Sequence, residues 1–372
     1  MNIVNLLVGL VLAGFIGCYL LHSTPKEISK DDCMAIETKT VFSHSTRSSL
    51  STALVGGKAK DLQKVSQVKG ISTPIWFVLS TNAFKQFLSN NDLFNHLEKL
   101  DLLCNDFKAN AKEIDQILKQ IREKIINGKL STQIISEINK AYQKLVTVIG
   151  HSNSHFAVRS SGVIEDSASS SCAGLYDTIL NCQNFEDIIN AVKHVWASSF
   201  NSLVVQERTR LGLKQTDCLM GVIVQELINS QTSGVASTIV LSNNYPGIQI
   251  AANYGLGESI VNGEVSVDSW IVHPTQNYIL EMIKGSKEIQ IKPNLKKGGT
   301  VKTEVPQKAR QQFSLSLPEV RLLAKQVRAI KELYDSEVDV EFAFNERQNL
   351  YILQARELVQ VKSNLIQVVD QS

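Results

Sequence analysis

Between Asn82 and Gly150 the apolar residues recur at helical spacing, as in Ile114, Ile117, Leu118, Ile121 and Ile125. That periodicity predicts a helical insertion, with Gly128 as a stop and Ser131 as an N-cap. Short β-rich runs follow: Phe156 to Val158, Gly221 to Gln225, Gly234 to Leu241, Ile248 to Ala252, Trp270 to Val272, Val338 to Phe344 and Leu350 to Gln354. Helices over Glu186 to Phe200 and Pro318 to Tyr334 separate some of them. The mixture gives an α+β or α/β chain with two lobes, and no internal repeat is visible.

Ahead of this body the pattern changes twice. Ile3 to Leu21 is almost wholly apolar and uncharged, close to the roughly 20 residues that span a bilayer. Lys26 and Lys30 follow it and no basic residue precedes it, which orients a membrane anchor with the remainder in the cytoplasm. A cleaved signal peptide, a lipoprotein signal ending at Cys18, and a buried amino-terminal helix are the alternative readings. From His22 to about Ser49 the chain is polar and without periodicity, as a tether is. The expected organisation is an anchor at 1–22, a linker at 23–49, a folded domain at 50–357 and a tail at 358–372.

Composition narrows the function classes. Lys and Arg (38) nearly balance Asp and Glu (36), so there is no basic field to capture nucleic acid by counterion release, and none is expected as a partner. The six cysteines are scattered, with no zinc-ligand spacing. They read as reduced thiols.

Several segments carry candidate chemistry. Val55-Gly56-Gly57-Lys58 offers a bare backbone and an ammonium to an anion, but it lacks the spacing of a Walker P-loop, and a glycine turn with a solvated lysine is the better local reading. Phe156 to Ser161 runs an apolar strand into Arg159 and two hydroxyls, and Ser171 to Thr178 follows as a small-residue loop around Gly174. Arginine's planar fork and backbone N–H groups suit phosphate, and a surface loop after an edge strand is the plain alternative. Val338 to Phe342 and Tyr351 to Arg356 flank the polar turn Asn345 to Asn349 and predict a hairpin. Glu341 then lies opposite Gln354 and Asp339 opposite Arg356, all on one face, with Val340, Phe342, Leu353 and Ala355 on the other. Carboxylate and amide oxygens suit phosphate-bound Mg²⁺, and a surface hairpin with a salt bridge is the plain alternative. Val222 to Glu226 reads as a core strand or as an edge for an adenine, and Gly255 to Glu258 as a tight or phosphate-proximal turn.

Taken in order, Gly56-Gly57-Lys58, Phe156 to Ser161, Glu165-Asp166, Ala173-Gly174, Val224-Gln225, Gly255 to Glu258, Asp339-x-Glu341 and Gln354-Ala355-Arg356 resemble the nucleotide-binding domain of the phosphoenolpyruvate synthase and pyruvate phosphate dikinase family, from about Val55 to Arg356. Rifampicin phosphotransferase and glucan water dikinases look similar over the same span. The resemblance implies a two-lobed, ATP-grasp-like fold with a helical insertion, and ATP and Mg²⁺ as cofactors. It implies that Lys58 and Arg159 hold phosphates, that Gly174 and Thr178 belong to a lid loop, and that Gln225 lies by the adenine. Glu341 and Gln354 would bind Mg²⁺ and nucleotide, with Arg356 on the transferring phosphoryl group.

The resemblance does not extend to the family's phosphohistidine domain or pyruvate-binding barrel. Cys172 stands where Phe is usual, Glu357 where Pro commonly follows, and Gly162-Val163-Ile164 replaces a Thr-containing stretch. The expected function is an ATP-dependent phosphotransferase tethered to a membrane, passing phosphate to a histidine on a separate phosphohistidine-domain protein or to another acceptor. The alternative is an inactive ATP-binding regulatory or scaffold module.

Overall fold

A computed structural model describes residues 39–150, 154–163, 174–240, 246–261 and 265–358. The expected anchor at 1–22 lies outside the described residues, as do most of the linker and nearly all of the tail. Among the described residues no helix is long and apolar enough to cross a membrane.

The elements run β1 (Val41–Ser43), α1 (Gly57–Ser66), β2 (Trp76–Leu79), α2 (Thr81–Asn90), α3 (Phe94–Cys104), α4 (Ala111–Asn127), α5 (Thr132–Ile149), β3 (Phe156–Gly162) and β4 (Thr178–Cys182). They continue with α6 (Phe185–Ser198), α7 (Ser202–Arg210), β5 (Met220–Glu226), β6 (Ser230–Val240), β7 (Pro246–Tyr254), β8 (Asp268–Val272), β9 (Ile279–Ile283), β10 (Ile289–Pro293), β11 (Thr300–Glu304), α8 (Leu317–Tyr334), β12 (Val338–Asn345) and β13 (Leu350–Glu357). The fold is α+β. An antiparallel sheet ordered β1-β2-β5-β3-β4 and a second ordered β13-β12-β6-β7-β8-β9 each carry a separate hydrophobic core, and β10 and β11 form a two-stranded arm.

The helical insertion forms as its periodicity requires. In α4 the five residues Ile114, Ile117, Leu118, Ile121 and Ile125 are all buried, and Gly128 caps its end. The Ser131 side chain caps α5 by accepting from the Ile134 amide. Phe84 of α2 stacks on Trp196 of α6, with ring centroids 5.0 Å apart. Beneath the second sheet, α8 begins with a capping box between Ser316 and Glu319 and buries Val320, Leu323, Val327 and Ile330.

Two expectations are corrected. The body begins ahead of Leu50, because β1 pairs with β2 and buries Phe42. A three-residue strand is too short to leave an alternating signature in a polar stretch. In the hairpin, a bulge between Glu341 and Phe342 pairs Phe342 with Ile352. Ile352 is therefore the fully buried residue, and Leu353 is only half-buried. The bulge turns the Ile352 amide onto the Ser72 carbonyl at 2.9 Å.

The second sheet also holds a buried ion pair. Lys287 Nζ lies 2.6 Å from Asp268 Oδ1, both side chains being fully buried. The same oxygen accepts the Gly285 amide at 2.9 Å, and Oδ2 accepts the Ser314 amide at 2.6 Å. Lys287 adopts φ +47° to reach it. Replacing Lys287 by Met leaves the carboxylate buried without its cation, and is expected to cost about 3–5 kcal/mol. Denaturant unfolding of the Lys287→Met variant checks this, and an unchanged midpoint refutes it.

Candidate functional site

The site is assembled where three elements meet. α1 packs on both β3 of the first sheet and β13, the edge of the second. Its entry is set by Gly56, whose φ of +79° favours glycine and where a Cβ would sit 1.8 Å from the Ser161 carbonyl oxygen. Ser161 Oγ accepts the Ala59 amide at 3.0 Å, satisfying one of the free N–H groups of the first helical turn. Lys58, in that same turn, directs Nζ to Ser160 Oγ at 3.4 Å.

β3 carries Arg159 outward, between the buried Val158 and Ser160. Its guanidinium Nη2 lies 2.5 Å from Glu341 Oε2, so the first sheet reaches directly onto β12 of the second. The expected register holds around this point: Asp339 faces Arg356 and Glu341 faces Gln354. Arg356 Nε and Nη2 donate to Asp339 Oδ2 at 3.2 and 2.9 Å.

Burial by itself would push the Glu341 carboxyl up, but Arg159 first, then Lys58 and Arg356, hold it below the usual carboxylate range. Glu341 is therefore ionised at neutral pH. Three cations, Lys58, Arg159 and Arg356, face two carboxylates, Asp339 and Glu341. Their donors converge on one partly desolvated place, which suits a ligand with several negatively charged oxygens.

Not all expected residues join this group closely. Gln225 is buried, and its Nε2 donates to the Leu353 carbonyl at 3.2 Å, at the bulge beside Gln354. Thr178 is exposed and pairs with Arg159 across β3 and β4. Gly174 is exposed with φ +79°; residues 164–173, which include Glu165, Asp166 and Cys172, lie outside the described residues. The Gly255 to Glu258 turn is tied instead to the β10–β11 arm, through the Leu256 amide on the Ile291 carbonyl at 2.8 Å and Thr300 on Glu258 at 3.2 Å.

Sequence reasoning missed Ser237, whose Oγ donates to Asp339 Oδ1 at 2.6 Å. Its only signal was its position in a β-rich run. Missed too was a cavity of about 1180 Å³ lined by Gly57, Lys60, Lys331, Tyr334 and Arg356. Lys58, Arg159, Glu341 and Gln354 do not line it, so Arg356 is the wall shared by the charge cluster and the cavity.

The residues fit a nucleotide-bound divalent cation. Glu341 is held ionised and Gln354 stands opposite it. Among the described residues no group of three or more His, Cys, Asp or Glu could hold a metal ion. One carboxylate and one amide oxygen are what Mg²⁺ needs when phosphates supply the other ligands.

Comparison with known proteins agrees in kind. The family described as pyruvate phosphate dikinase, AMP/ATP-binding domain, matches residues 52–369. Phosphoenolpyruvate synthase of Escherichia coli is 34% identical over 321 residues, covering 81% of this chain and 40% of that protein. A probable phosphoenolpyruvate synthase of Methanothermobacter thermautotrophicus is 32% identical, covering 82% and 43%. The uncharacterized phosphotransferase YvkC of Bacillus subtilis is 31% identical, covering 84% and 34%. The chain thus spans less than half the length of these curated relatives.

The lowered Glu341 ionisation sets a pH dependence. A carboxyl whose folded pKa lies below its unfolded value contributes stability that is present above the unfolded pKa and lost as pH falls through the folded one. Wild type is therefore expected to exceed Glu341→Gln in stability at pH 7, and the gap is expected to close below about pH 4, near the ordinary Glu value. Thermal unfolding of both proteins from pH 7 to pH 3 measures it; a gap that widens on acidification contradicts the assignment.

Proposed function

Because the chain belongs to the pyruvate phosphate dikinase AMP/ATP-binding domain family, we propose that it binds Mg²⁺·ATP between its two sheets and acts as a phosphotransferase. The observation that carries this reading is the convergence of Lys58, Arg159 and Arg356 on ionised Glu341. In this reading Lys58 and Arg159 neutralise phosphate oxygens, and Gln225 lies beside the adenine, where the carboxyl end of β5 meets the β13 bulge. Gly174 and Thr178 border the phosphates from the β3–β4 side. Glu341 and Gln354 would hold the Mg²⁺, which neutralises phosphate charge when bound.

Arg356 stands on the transferring phosphoryl group. Its Nη1 has no hydrogen-bond partner among the described residues, because Asp339 takes Nε and Nη2. Phosphoryl transfer depends chiefly on positioning and on neutralising charge, which is what such donors supply. The acceptor is a histidine on a separate protein or another group, approaching from the cavity that Arg356 walls.

The test uses the full chain with Mg²⁺ and ATP labelled at either the β- or the γ-phosphate, incubated with an extract of the source cell. Acid-labile label on protein is expected, reduced about 100-fold or more in Arg356→Ala. Nucleotide binding without turnover or transfer would replace this reading with a regulatory module.

We also propose that Ile3 to Leu21 tethers the chain to a membrane with the folded body on the cytoplasmic side. The full chain is expected in the membrane fraction after alkaline carbonate extraction, and its release into the supernatant would exclude an integral anchor.

A further inference from the structure

The β10–β11 arm is rooted in one sheet and held at its tip by the other. At its base Lys287 forms the buried pair with Asp268 of β8, and Asn253 Nδ2 of β7 donates to the Ile289 carbonyl at 2.9 Å. Its tip, the turn at residues 294–299, meets β4, the edge strand of the first sheet. There Asn181 Nδ2 donates to the Asn294 and Gly299 carbonyls at 2.9 and 2.6 Å. Gln183 Nε2 reaches the Asn294 and Leu295 carbonyls at 3.3 and 3.1 Å.

Asn181 is set up for this contact. It is buried and adopts φ +64°, the left-handed region that asparagine tolerates better than most residues. Its Oδ1 is engaged by His155 Nδ1, which orients the amide so that its N–H bonds face the arm. The turn does not need Asn181 for its own shape. The Asn294 amide donates to the Gly299 carbonyl at 2.9 Å, and the Gly298 amide to the Asn294 carbonyl at 3.1 Å, so Asn181 uses the remaining acceptor capacity of these carbonyls. Leu295, at the tip, is 70% exposed. Neutral hydrogen bonds hold the tip, and such bonds exchange for water at small net cost. The arm can therefore leave β4 while staying folded.

The contact is also well placed. Asn181 stands three residues beyond Thr178, the β4 partner of Arg159, and Thr300 of the arm donates to Glu258. The arm is thus a second bridge between the sheets, on the β4 side of the Arg159–Glu341 contact.

We propose that the arm is a strap across the β4 side of the nucleotide cleft, with Asn181 as its catch: nucleotide enters and leaves when the catch opens. This rests on the nucleotide reading above. Asn181 touches neither nucleotide nor Mg²⁺, so its bonds are the same in the free and the loaded chain. Loosening it changes how often the strap opens and leaves the closed site as it was.

Two measurements on the full chain test this: amide hydrogen exchange, and stopped-flow binding and release of a fluorescent ATP analogue with Mg²⁺. Asn181→Gly keeps the left-handed backbone and removes both donors. Exchange across residues 289–304 is expected to quicken about ten-fold, in the range of two neutral hydrogen bonds, with α4 and α8 unchanged. Association and dissociation rates are expected to rise together, about five- to ten-fold, leaving Kd within about two-fold. Gln183→Ala is expected to act in the same direction with a smaller effect. Unchanged exchange in the arm, unchanged nucleotide rates, a weaker Kd with an unchanged association rate, or exchange that rises equally in both cores each overturns the strap. If Asn181→Gly does not fold, Gln183→Ala decides by the same criteria. Wild-type protein that does not bind the analogue refutes the nucleotide reading, and the strap's role with it; normal wild-type binding with unchanged rates in the variants refutes only the strap.

Discussion

One ion pair joins chemistry to architecture in this protein. Arg159 leaves the middle of the first sheet and meets Glu341 in the second, at 2.5 Å with both side chains largely withdrawn from water. Neither charge is comfortable alone in such a place, and deleting one would strand the other. The carboxylate is held ionised because Lys58 and Arg356 stand near it as well as Arg159. The positions of α1, β3, β12 and β13 relative to one another are therefore tied to the same electrostatics that would receive a polyanion.

The strand pattern explains why so few residues suffice. Successive side chains of a strand alternate in face, and direct partners on adjacent strands share one. Asp339 and Glu341 on β12 thus align with Arg356 and Gln354 on β13, and Asp339 with Ser237 on β6. The alternate residues Val340, Phe342 and Ala355 are buried on the side of α8, where they contribute roughly 25 cal/mol per Å² of apolar surface withdrawn from water. One hairpin therefore supplies both the core that fixes it and the polar row it displays.

Much of this was legible in the sequence, and the exceptions have physical causes. The α4 stripe and the Ser131 cap were readable because helix periodicity extends over many residues. The Asp339–Arg356 and Glu341–Gln354 pairing was readable because a short polar turn fixes register locally. The bulge was not, since an extra residue changes no hydrophobic alternation until the partner strand is known. β1 was too short to show. Ser237 could not be singled out because its importance is entirely a matter of what lies beside it, 102 positions away in the chain. The buried Lys287–Asp268 pair was equally silent: charged residues in a sequence read as surface unless their partner is visible.

The contrast between the two ion pairs bears on how the site should be understood. Lys287 and Asp268 are fully buried, with the carboxylate accepting two backbone amides besides; little of that aspartate's hydrogen-bonding capacity is left over. The Arg159–Glu341 and Arg356–Asp339 pairs are only part-buried, and Lys58 stands close to the first of them. A pair that merely fastened two sheets would gain from being closed like the first. Open pairs leave donors and acceptors within reach of solvent, where a phosphate-bearing ligand with its divalent cation would engage them. That difference in closure, more than the presence of charge, separates the candidate site from the structural ion pair elsewhere in the same sheet.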